Sequence, residues 1–369
     1  MTVPFASAQS LGYITPERST FLTQKMLSYT LFLLLVLLTG VHSLSYIGAD
    51  FSSLVNLEKS GTSYSDGGST EALETILTSH GANIARIRIW TSESDDEYSL
   101  DYGLALAKRA VKAGMALMID LHYSDTWADP SKQGIPSAWE EDLDSLNTSI
   151  YTYTLDLVNA FIEQGTPIDY IQIGNEINGG ILWPTGEISV NGYEPLSELL
   201  NSAVSAVREA SSTTKTVIHL ANGWDEDSVL YFYKNIFYQG ALELEDVDVM
   251  AFSFYPFYDD GATLSALKSS LNTVVSTYAK DIMIVETDWP YECSSVILTE
   301  SISVSASGQE TWMSDIQTVL EDLSDDHGIG LFYWEPGWIG NAALGSSCED
   351  NLLVDGSGAA RDSMSVFGS

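Results

Sequence analysis

The sequence predicts a single (β/α)8 barrel, and three observations lead to that prediction. Short apolar or β-branched runs alternate with longer amphipathic segments from residue 45 onward. Eight such runs can be placed, and eight strands alternating with helices are typical of this barrel. Two of the runs end on a glutamate, at the strand end where barrel enzymes place their chemistry. With 369 residues, 45% of them hydrophobic, the chain can form one catalytic domain over residues 44–369.

The strands and helices follow from the local hydrophobic period. Strands are expected at 46–50, 84–90, 116–122, 170–176, 217–222, 249–255, 282–287 and 329–334. The clearest helices are expected at 100–114, 151–165, 193–210, 264–278 and 311–323. Gly114 and Gly165 stand where helix C-caps are expected. The longer loops, 123–145 and 288–308, are expected to build a substrate cleft.

The alternation of residues along each strand predicts which side chains point into the barrel. Residues two apart share one face of a strand. In the second strand Arg86 and Arg88 share a face opposite the isoleucines, and in the third strand Asp120 lies with His122. The same reasoning puts further polar groups on the inner face, namely Gln172, Glu176, His219, Ser253 and Tyr255. We therefore expect the apolar faces to pack on helices and the polar faces to meet inside the barrel.

Residues 1–43 are predicted to be a secretory signal peptide. Residues 31–38 (LFLLLVLL) form an apolar run between Lys25 and the small residues that precede a cut after Ser43. The segment before the run is unusually long, so Met26 is an alternative start. A membrane anchor is the competing interpretation, but the run is short of the about 20 residues that span a bilayer. The mature protein is therefore expected to be extracellular and free of the membrane.

The charge of the chain excludes two classes of partner. Lys and Arg total 15 against 51 Asp and Glu, a formal net charge of −36. Such an anion does not bind nucleic acid or anionic membranes by charge attraction. The acidic residues are spread along the chain, which is typical of a solvated surface, and a monomer is expected.

If the protein is extracellular, the sequence predicts two covalent features, a disulfide and an N-glycosylation site. The two cysteines, Cys293 and Cys348, are expected to pair, with two unpaired structural thiols as the alternative. Asn147-Thr148-Ser149 is an N-glycosylation sequon in a polar stretch that is expected to be exposed.

Glu176 and Glu286 are the candidate catalytic residues. Each follows a strand-like apolar run, where an unused carboxylate would cost free energy. Glycoside hydrolysis needs such a pair, one carboxyl to protonate the leaving oxygen and one to attack or to activate water. The alternative is a structural role in which Arg86 or Arg88 holds a buried glutamate. Arginines beside the pair would also lower the pKa of the carboxylate that must stay ionised.

Neighbouring polar and aromatic residues are candidate substrate contacts. Asn175 could donate a hydrogen bond to a sugar hydroxyl, and His122, His219 and Tyr255 could orient the carboxylates or touch substrate. A histidine inside a barrel can equally be a satisfied core group. Tryptophans at or beyond strand ends could stack on sugar rings, although core packing claims some of them: Trp127, Trp139, Trp183, Trp224, Trp289, Trp334 and Trp338.

Other chemistries find weaker support in the sequence. Asp120, His122 and His219 could ligate zinc, but no HExxH or His-x-His motif accompanies them, so no metal is expected. No Gly-x-Ser-x-Gly elbow of a serine hydrolase occurs, and no Gly-rich phosphate loop. No cofactor is expected.

Several longer strings resemble one family. They include GADFSS (48–53), DLHYSDTWADP (120–130), IGNEI (173–177), LWP (182–184), YPFY (255–258), VETDWP (285–290) and YWEPGWIG (333–340). Together they resemble the family 53 glycoside hydrolases, the arabinogalactan endo-β-1,4-galactanases, from Tyr46 nearly to the C-terminus. Asp288 and Gly337 depart from the pattern of the family, and this departure is expected to affect fine specificity rather than chemistry.

The resemblance implies a secreted retaining enzyme that cuts the β-1,4-galactan side chains of pectin. It implies a (β/α)8 barrel with Glu176 as acid/base and Glu286 as nucleophile. Cys293 and Cys348 resemble the disulfide of the fungal-type members. The substrate contacts expected with this resemblance are Asp50, Arg86, Arg88, His122, Trp127, Asn175, His219, Tyr255, Trp289, Trp334 and Trp338.

Two rival functions remain open at this point. One is another retaining endo-glycosidase on the same barrel, such as a mannanase or a xylanase. The other is a sugar-binding barrel without catalytic activity, which the presence of both glutamates disfavours.

Overall fold

The computed structural model describes residues 43–92 and 97–368, together with Gly12. The residues from Ser43 onward form one compact unit. The predicted signal peptide lies outside the described residues, apart from Gly12 and Ser43, and stays a prediction. Within the described residues, no helix is long and apolar enough to cross a membrane.

Eight parallel strands close into a barrel, which confirms the predicted fold class. In chain order they are β1 Tyr46–Asp50, β2 Ile84–Ile89, β3 Ala116–Leu121, β4 Tyr170–Ile173, β5 Lys215–Leu220, β6 Val249–Ser253, β7 Asp281–Glu286 and β8 Gly328–Trp334. Each strand pairs with its neighbours in the chain, and β1 closes the ring against β8. Asp50, the last residue of β1, lies beside Arg86 of β2 on one side and Trp334 of β8 on the other.

Helices surround the strands. In chain order they are α1 Leu54–Lys59, α2 Leu73–Ser79, α3 Leu100–Ala113, α4 Leu143–Gln164, α5 Ile188–Asn191, α6 Tyr193–Ala210, α7 Glu226–Tyr238, α8 Leu264–Tyr278 and α9 Ala306–Glu321. Gly114 and Gly165 cap α3 and α4 in the left-handed conformation that glycine adopts without strain, as predicted. Short 3-10 helices lie at Ile177–Gly179, Leu244–Asp246, Ser324–Asp326 and Asp362–Phe367, and two-stranded hairpins at 64–71 and 180–187.

The hydrophobic side chains divide into an outer and an inner core. The outer core contains the alternate strand residues predicted to face the helices, such as Ile87, Ile119 and Phe252. The inner core fills the lower part of the barrel with Ile84, Met118, Tyr170, Val217, Val249, Ala251, Met283, Val285 and Phe332. Above this layer the inward-facing residues are polar, so the packed interior forms the floor of the site.

Two features of the backbone differ from expectation. Strand β4 ends at Ile173 rather than at 176, because Gly174 has φ 93° and Glu176 has φ 48°. Positive φ is rare for a residue with a side chain and concentrates at functional sites. Helix α4 begins at Leu143, eight residues before the predicted start, because Asp142 caps it by accepting from the Ser145 amide.

The covalent predictions have different outcomes. Cys293 and Cys348 form a disulfide that joins the loop after β7 to the loop after β8. Asn147 lies in the first turns of α4 and is half-buried, while Thr148, the next residue of the sequon, is exposed. Its Oδ1 accepts a hydrogen bond from Ser202 (2.9 Å) and its Nδ2 donates to Glu198 (3.4 Å). Glycosylation at Asn147 stays a prediction.

The inner core predicts a stability effect. Phe332→Ala removes a fully buried ring from the barrel interior, and we expect unfolding in urea to require about 3–5 kcal/mol less free energy. Tyr238→Ala is the control, because this side chain is 86% exposed and its loss should change the free energy by less than about 0.5 kcal/mol. Equal losses for the two variants would contradict the assignment of Phe332 to the core.

Candidate active site

A cleft of about 610 Å³ opens at the carboxyl ends of the strands. Nine of the predicted site residues line it: Arg86, Arg88, His122, Trp127, Asn175, Glu176, Tyr255, Glu286 and Trp334. The loop 123–145 contributes to the wall as expected. The loop 288–308 contributes none of the described lining residues, and the loop after β8 supplies Leu344 and Gly345 instead.

Arg86 is the central cation of the site. Its side chain is 1% exposed and lies within 3.0 Å of three carboxylates. Nη1 contacts Asp50 Oδ2 (3.0 Å) and Glu286 Oε1 (2.9 Å), and Nη2 contacts Asp120 Oδ2 (3.0 Å). Burial alone would raise the pKa of Asp120, but Arg86 and His122 lower it to about 2. These carboxylates therefore give Arg86 the compensating charge that a buried cation needs.

Amide side chains complete the coordination of Arg86. Nε donates to Gln172 Oε1 (3.1 Å), and Nη2 donates to Asn175 Oδ1 (2.9 Å). All five N–H donors of the guanidinium thus have a partner. Asn175 also donates from Nδ2 to the Ala128 carbonyl (2.9 Å), and its Oδ1 lies 2.9 Å from His219 Nδ1. Its amide is therefore held by protein groups on both sides.

Glu286 ends β7 and is fixed through both oxygens. Oε1 pairs with Arg86, and Oε2 accepts a hydrogen bond from Tyr255 (3.0 Å). A register shift between Phe252 and Ser253 in β6 brings Ser253 opposite Glu286 across the sheet. Burial raises the pKa of Glu286, and Arg86 together with the Tyr255 hydroxyl opposes that rise.

Glu176 has a different environment. It follows β4 in the left-handed conformation, and its Oε1 accepts a hydrogen bond from Ser253 (2.7 Å). Burial and the negative charge of Glu286 raise the pKa of Glu176 to about 8. Arg86 pairs directly with Glu286 and not with Glu176. When the two carboxyls share one proton, it therefore resides on Glu176.

The two histidines have protein partners on their ring nitrogens. His122 contacts Asp120 through Nε2 (3.0 Å), and its Nδ1 accepts from the Ala128 amide (2.9 Å). His219 Nε2 lies 2.9 Å from the Ser253 hydroxyl, which itself donates to Glu176. Burial and the charge of Arg86 hold the pKa of His219 well below 6.5, so its ring is neutral. In the described part of the chain, no three His, Cys, Asp or Glu residues are arranged to hold a metal.

Aromatic rings form one wall of the cleft. Trp127 and Trp334 line it, with ring centroids 6.2 Å apart. Trp338 stacks on Trp127 at 6.0 Å and an interplanar angle of 20°. Arg88 lies against the Trp127 face, 4.3 Å from the ring centroid.

Four predicted substrate contacts are not among the residues that line the cleft: Trp338, which is half-buried, and His219, Trp289 and Asp50, which are fully buried. Trp289 is fully buried, donates from its indole to the Ser303 carbonyl (2.9 Å) and packs on Trp312. Asp50 is also fully buried, and its oxygens accept from Arg86 and Ser52. In this arrangement neither Trp289 nor Asp50 can touch a substrate directly.

Three further residues belong to the site. The alternation along the strands predicted Gln172 and Ser253 as inward-facing polar groups without a stated role, and the structure brings them into contact with Arg86 and Glu176 respectively. Glu335 carried no alternation signal, since it follows β8 in the left-handed conformation (φ 48°). Burial raises the pKa of Glu335 to about 7, and pairing with Arg88 opposes that rise.

A (β/α)8 barrel with one glutamate just after β4 and another at the end of β7, both facing a cleft lined by tryptophans, has the design of a glycoside hydrolase. The sequence profile of glycosyl hydrolase family 53 matches residues 46–367, and the chain belongs to this family.

Named relatives and solved structures agree with this membership. The chain is 47% identical to arabinogalactan endo-beta-1,4-galactanase A of Emericella nidulans, over 93% of this chain and 99% of the relative. It is 44% identical to the arabinogalactan endo-beta-1,4-galactanase of Thermothelomyces thermophilus, over 88% and 99%. A solved fungal beta-1,4-galactanase superposes with a TM-score of 0.86 at 44% identity, over 88% of this chain and 99% of that one. The family 53 catalytic domain of Ignisphaera aggregans superposes at 0.79 with 29% identity, over 89% and 97%.

The geometry predicts how Glu176 titrates. We expect its carboxyl to titrate near pH 8, because burial and Glu286 raise its pKa. Glu286→Gln removes the neighbouring negative charge and should lower that pKa by about one unit or more. Ser253→Ala removes the hydrogen bond that favours the ionised form and should raise it further. The measurement is a carbon-13 NMR titration of the glutamate carboxyls, and shifts of the opposite sign would contradict this description.

Proposed function

We propose that the protein is a secreted endo-β-1,4-galactanase that cleaves the galactan chains of arabinogalactan with retention of configuration. The observation that carries the proposal is that Glu176 and Glu286 have different environments in a family 53 barrel. Glu286 is paired with a buried arginine, and Glu176 has a raised pKa. Relatives named as arabinogalactan endo-β-1,4-galactanases support the substrate.

In the first step, Glu286 attacks the anomeric carbon while Glu176 donates its proton to the glycosidic oxygen. The bond between that oxygen and the anomeric carbon breaks as the ester bond to Glu286 forms. A pKa near 8 keeps Glu176 protonated at neutral and acidic pH. The hydrogen bond from Tyr255 and the pairing with Arg86 keep the attacking carboxylate oriented.

In the second step, water hydrolyses the galactosyl-enzyme. Once Glu286 is esterified it carries no charge, so the repulsion that raised the pKa of Glu176 is gone. Glu176 can then accept the proton of the attacking water as a general base. Water oxygen bonds to the anomeric carbon, Glu286 leaves as a carboxylate, and Glu176 ends with the proton with which it began.

The cleft also fits a neutral sugar polymer. Trp127 and Trp334 contribute apolar ring surface to the cleft, and carboxyl groups line it as well. A net charge of −36 disfavours an anionic ligand and leaves uncharged galactan unaffected. Galactan side chains of pectin are the substrate in this proposal, and the enzyme acts as an extracellular monomer.

Glu176→Gln and Glu286→Gln should each lower kcat on galactan by about 10²–10⁴-fold or more, because each removes a proton donor or the nucleophile. Glu176→Ala should keep part of the glycosylation rate on an activated galactoside, whose leaving group needs little protonation. Glu163→Gln, on an exposed face of α4, is the matched control and should behave as wild type. Near-normal rates for both active-site variants would refute the assignment.

The stereochemistry of the product tests the retaining mechanism. We expect proton NMR to detect the β-anomer first, followed by mutarotation to the equilibrium mixture. The α-anomer first would require an inverting mechanism, in which the carboxyls are about 6.5–9.5 Å apart. A reducing-sugar assay across galactan, mannan and xylan identifies the substrate, and preference for mannan or xylan would refute the galactanase proposal.

A further inference from the structure

Arg88 is a buried cation that the reaction steps above do not use. Its side chain is 1% exposed, and Nη1 lies 2.7 Å from Glu335 Oε1 and 3.5 Å from Asp50 Oδ1. Among the described residues, its Nε and Nη2 form no hydrogen bond of ordinary geometry, although the Tyr98 hydroxyl interacts with the guanidinium. Leaving buried donors unpaired costs free energy, so another interaction must favour this placement.

Aromatic faces supply that interaction. The Arg88 guanidinium carbon lies 4.3 Å from the ring centroid of Tyr98, 4.3 Å from that of Trp127 and 5.3 Å from that of Trp338. A planar guanidinium is attracted to the negative face of an aromatic ring, most strongly where water is excluded. The cation therefore fixes the positions of these rings relative to β2.

Glu335 fixes Arg88 in turn. Its Oε1 accepts from the Ser53 amide (3.0 Å) and its Oε2 from the Ser53 hydroxyl (2.5 Å), so the carboxyl has little freedom to move. The chain of contacts runs from Ser53, in the loop after β1, through Glu335 and Arg88 to Trp127. Trp127 is the member of this chain whose ring forms the cleft wall beside Trp334.

We propose that Arg88, held by Glu335, is a positioning residue that fixes the Trp127 ring as a sugar-binding surface of the cleft. Arg88 borders the cleft as well, but its effect on sugar binding is exerted through Trp127. The inference rests on the proposed function for the identity of the sugar. It assigns to Arg88 a part in galactan affinity rather than in bond cleavage.

The test is a double-mutant cycle between Arg88 and Trp127, read as kcat and KM on galactan. Arg88→Lys keeps the charge but loses the planar stack, and should raise KM by about tenfold with kcat changed by less than about threefold. Trp127→Ala should raise KM at least as much. In the Trp127→Ala background, Arg88→Lys should add less than about twofold, because residues that act through one another are not additive.

Arg109→Lys is the matched structural control. Arg109 also binds two glutamates, Glu58 and Glu74, but it lies outside the cleft lining. This variant should lower the melting temperature without changing KM. If Arg88→Lys fails to fold, Glu335→Gln is a milder variant that tests the same chain of contacts. At pH 8, where the wild-type carboxyl is ionised, it should also raise KM, and less so in the Trp127→Ala background.

Several results would overturn the inference. Full additivity of Arg88→Lys and Trp127→Ala would show that Arg88 does not act through Trp127. A loss confined to kcat, or an equal rise of KM in Arg109→Lys, would show general destabilisation instead. If any of these results is obtained while the wild-type enzyme still cleaves galactan, only the inference about Arg88 is refuted and the proposed function stands. A wild-type enzyme with no activity on galactan refutes the proposed function itself.

Discussion

The site depends on one buried guanidinium, that of Arg86. Its five donors hold side chains from β1, β3 and β7 and from the segment that ends β4, and three of its partners are carboxylates. A carboxylate this deep in a barrel is tolerable only because the cation compensates it. The strands cannot move apart at this end without breaking an ion pair. Glu286, the nucleophile in the proposed mechanism, is thus held in place before substrate arrives, which would lower the reorganisation that catalysis requires.

The difference between the two glutamates follows from that arrangement. Arg86 pairs directly with Glu286, whereas Glu176 has the Ser253 hydrogen bond and only the more distant charge of Arg86 to favour its ionised form. Burial raises the pKa of both carboxyls, and the direct ion pair opposes that rise at Glu286. In the proposed mechanism, esterification of Glu286 would remove the charge that keeps Glu176 protonated. The proton affinity of Glu176 would then depend on the state of Glu286 at each step.

Much of this arrangement could be predicted from residue patterns, and the exceptions have physical reasons. The period of two along the strands identified the eight strands and the inward-facing polar side chains, since a closed barrel forces that alternation. Trp289 was expected to contact substrate because it lies just beyond a strand end, but β7 ends at Glu286, and beyond that point alternation no longer decides which way a side chain faces. The same loss of periodicity explains why Glu335 was missed. The position of α4 was misjudged because a cap and a few polar residues precede its apolar stripe.

The sequence by itself determined the fold class, the two glutamates and the disulfide partners. These conclusions follow from local properties of the chain: the hydrophobic period, the carboxyls at strand ends and the family-specific strings. All three can be seen directly in the sequence. The tertiary structure alone supplied the physical reason for the proton to reside on Glu176, and it decided which tryptophans face the cleft. Those properties depend on groups that are far apart in the chain, such as Arg86 beside Glu286 and Arg88 beside Glu335. Electrostatic and packing energies act through space, so they are fixed only when the barrel closes and brings its strand ends together.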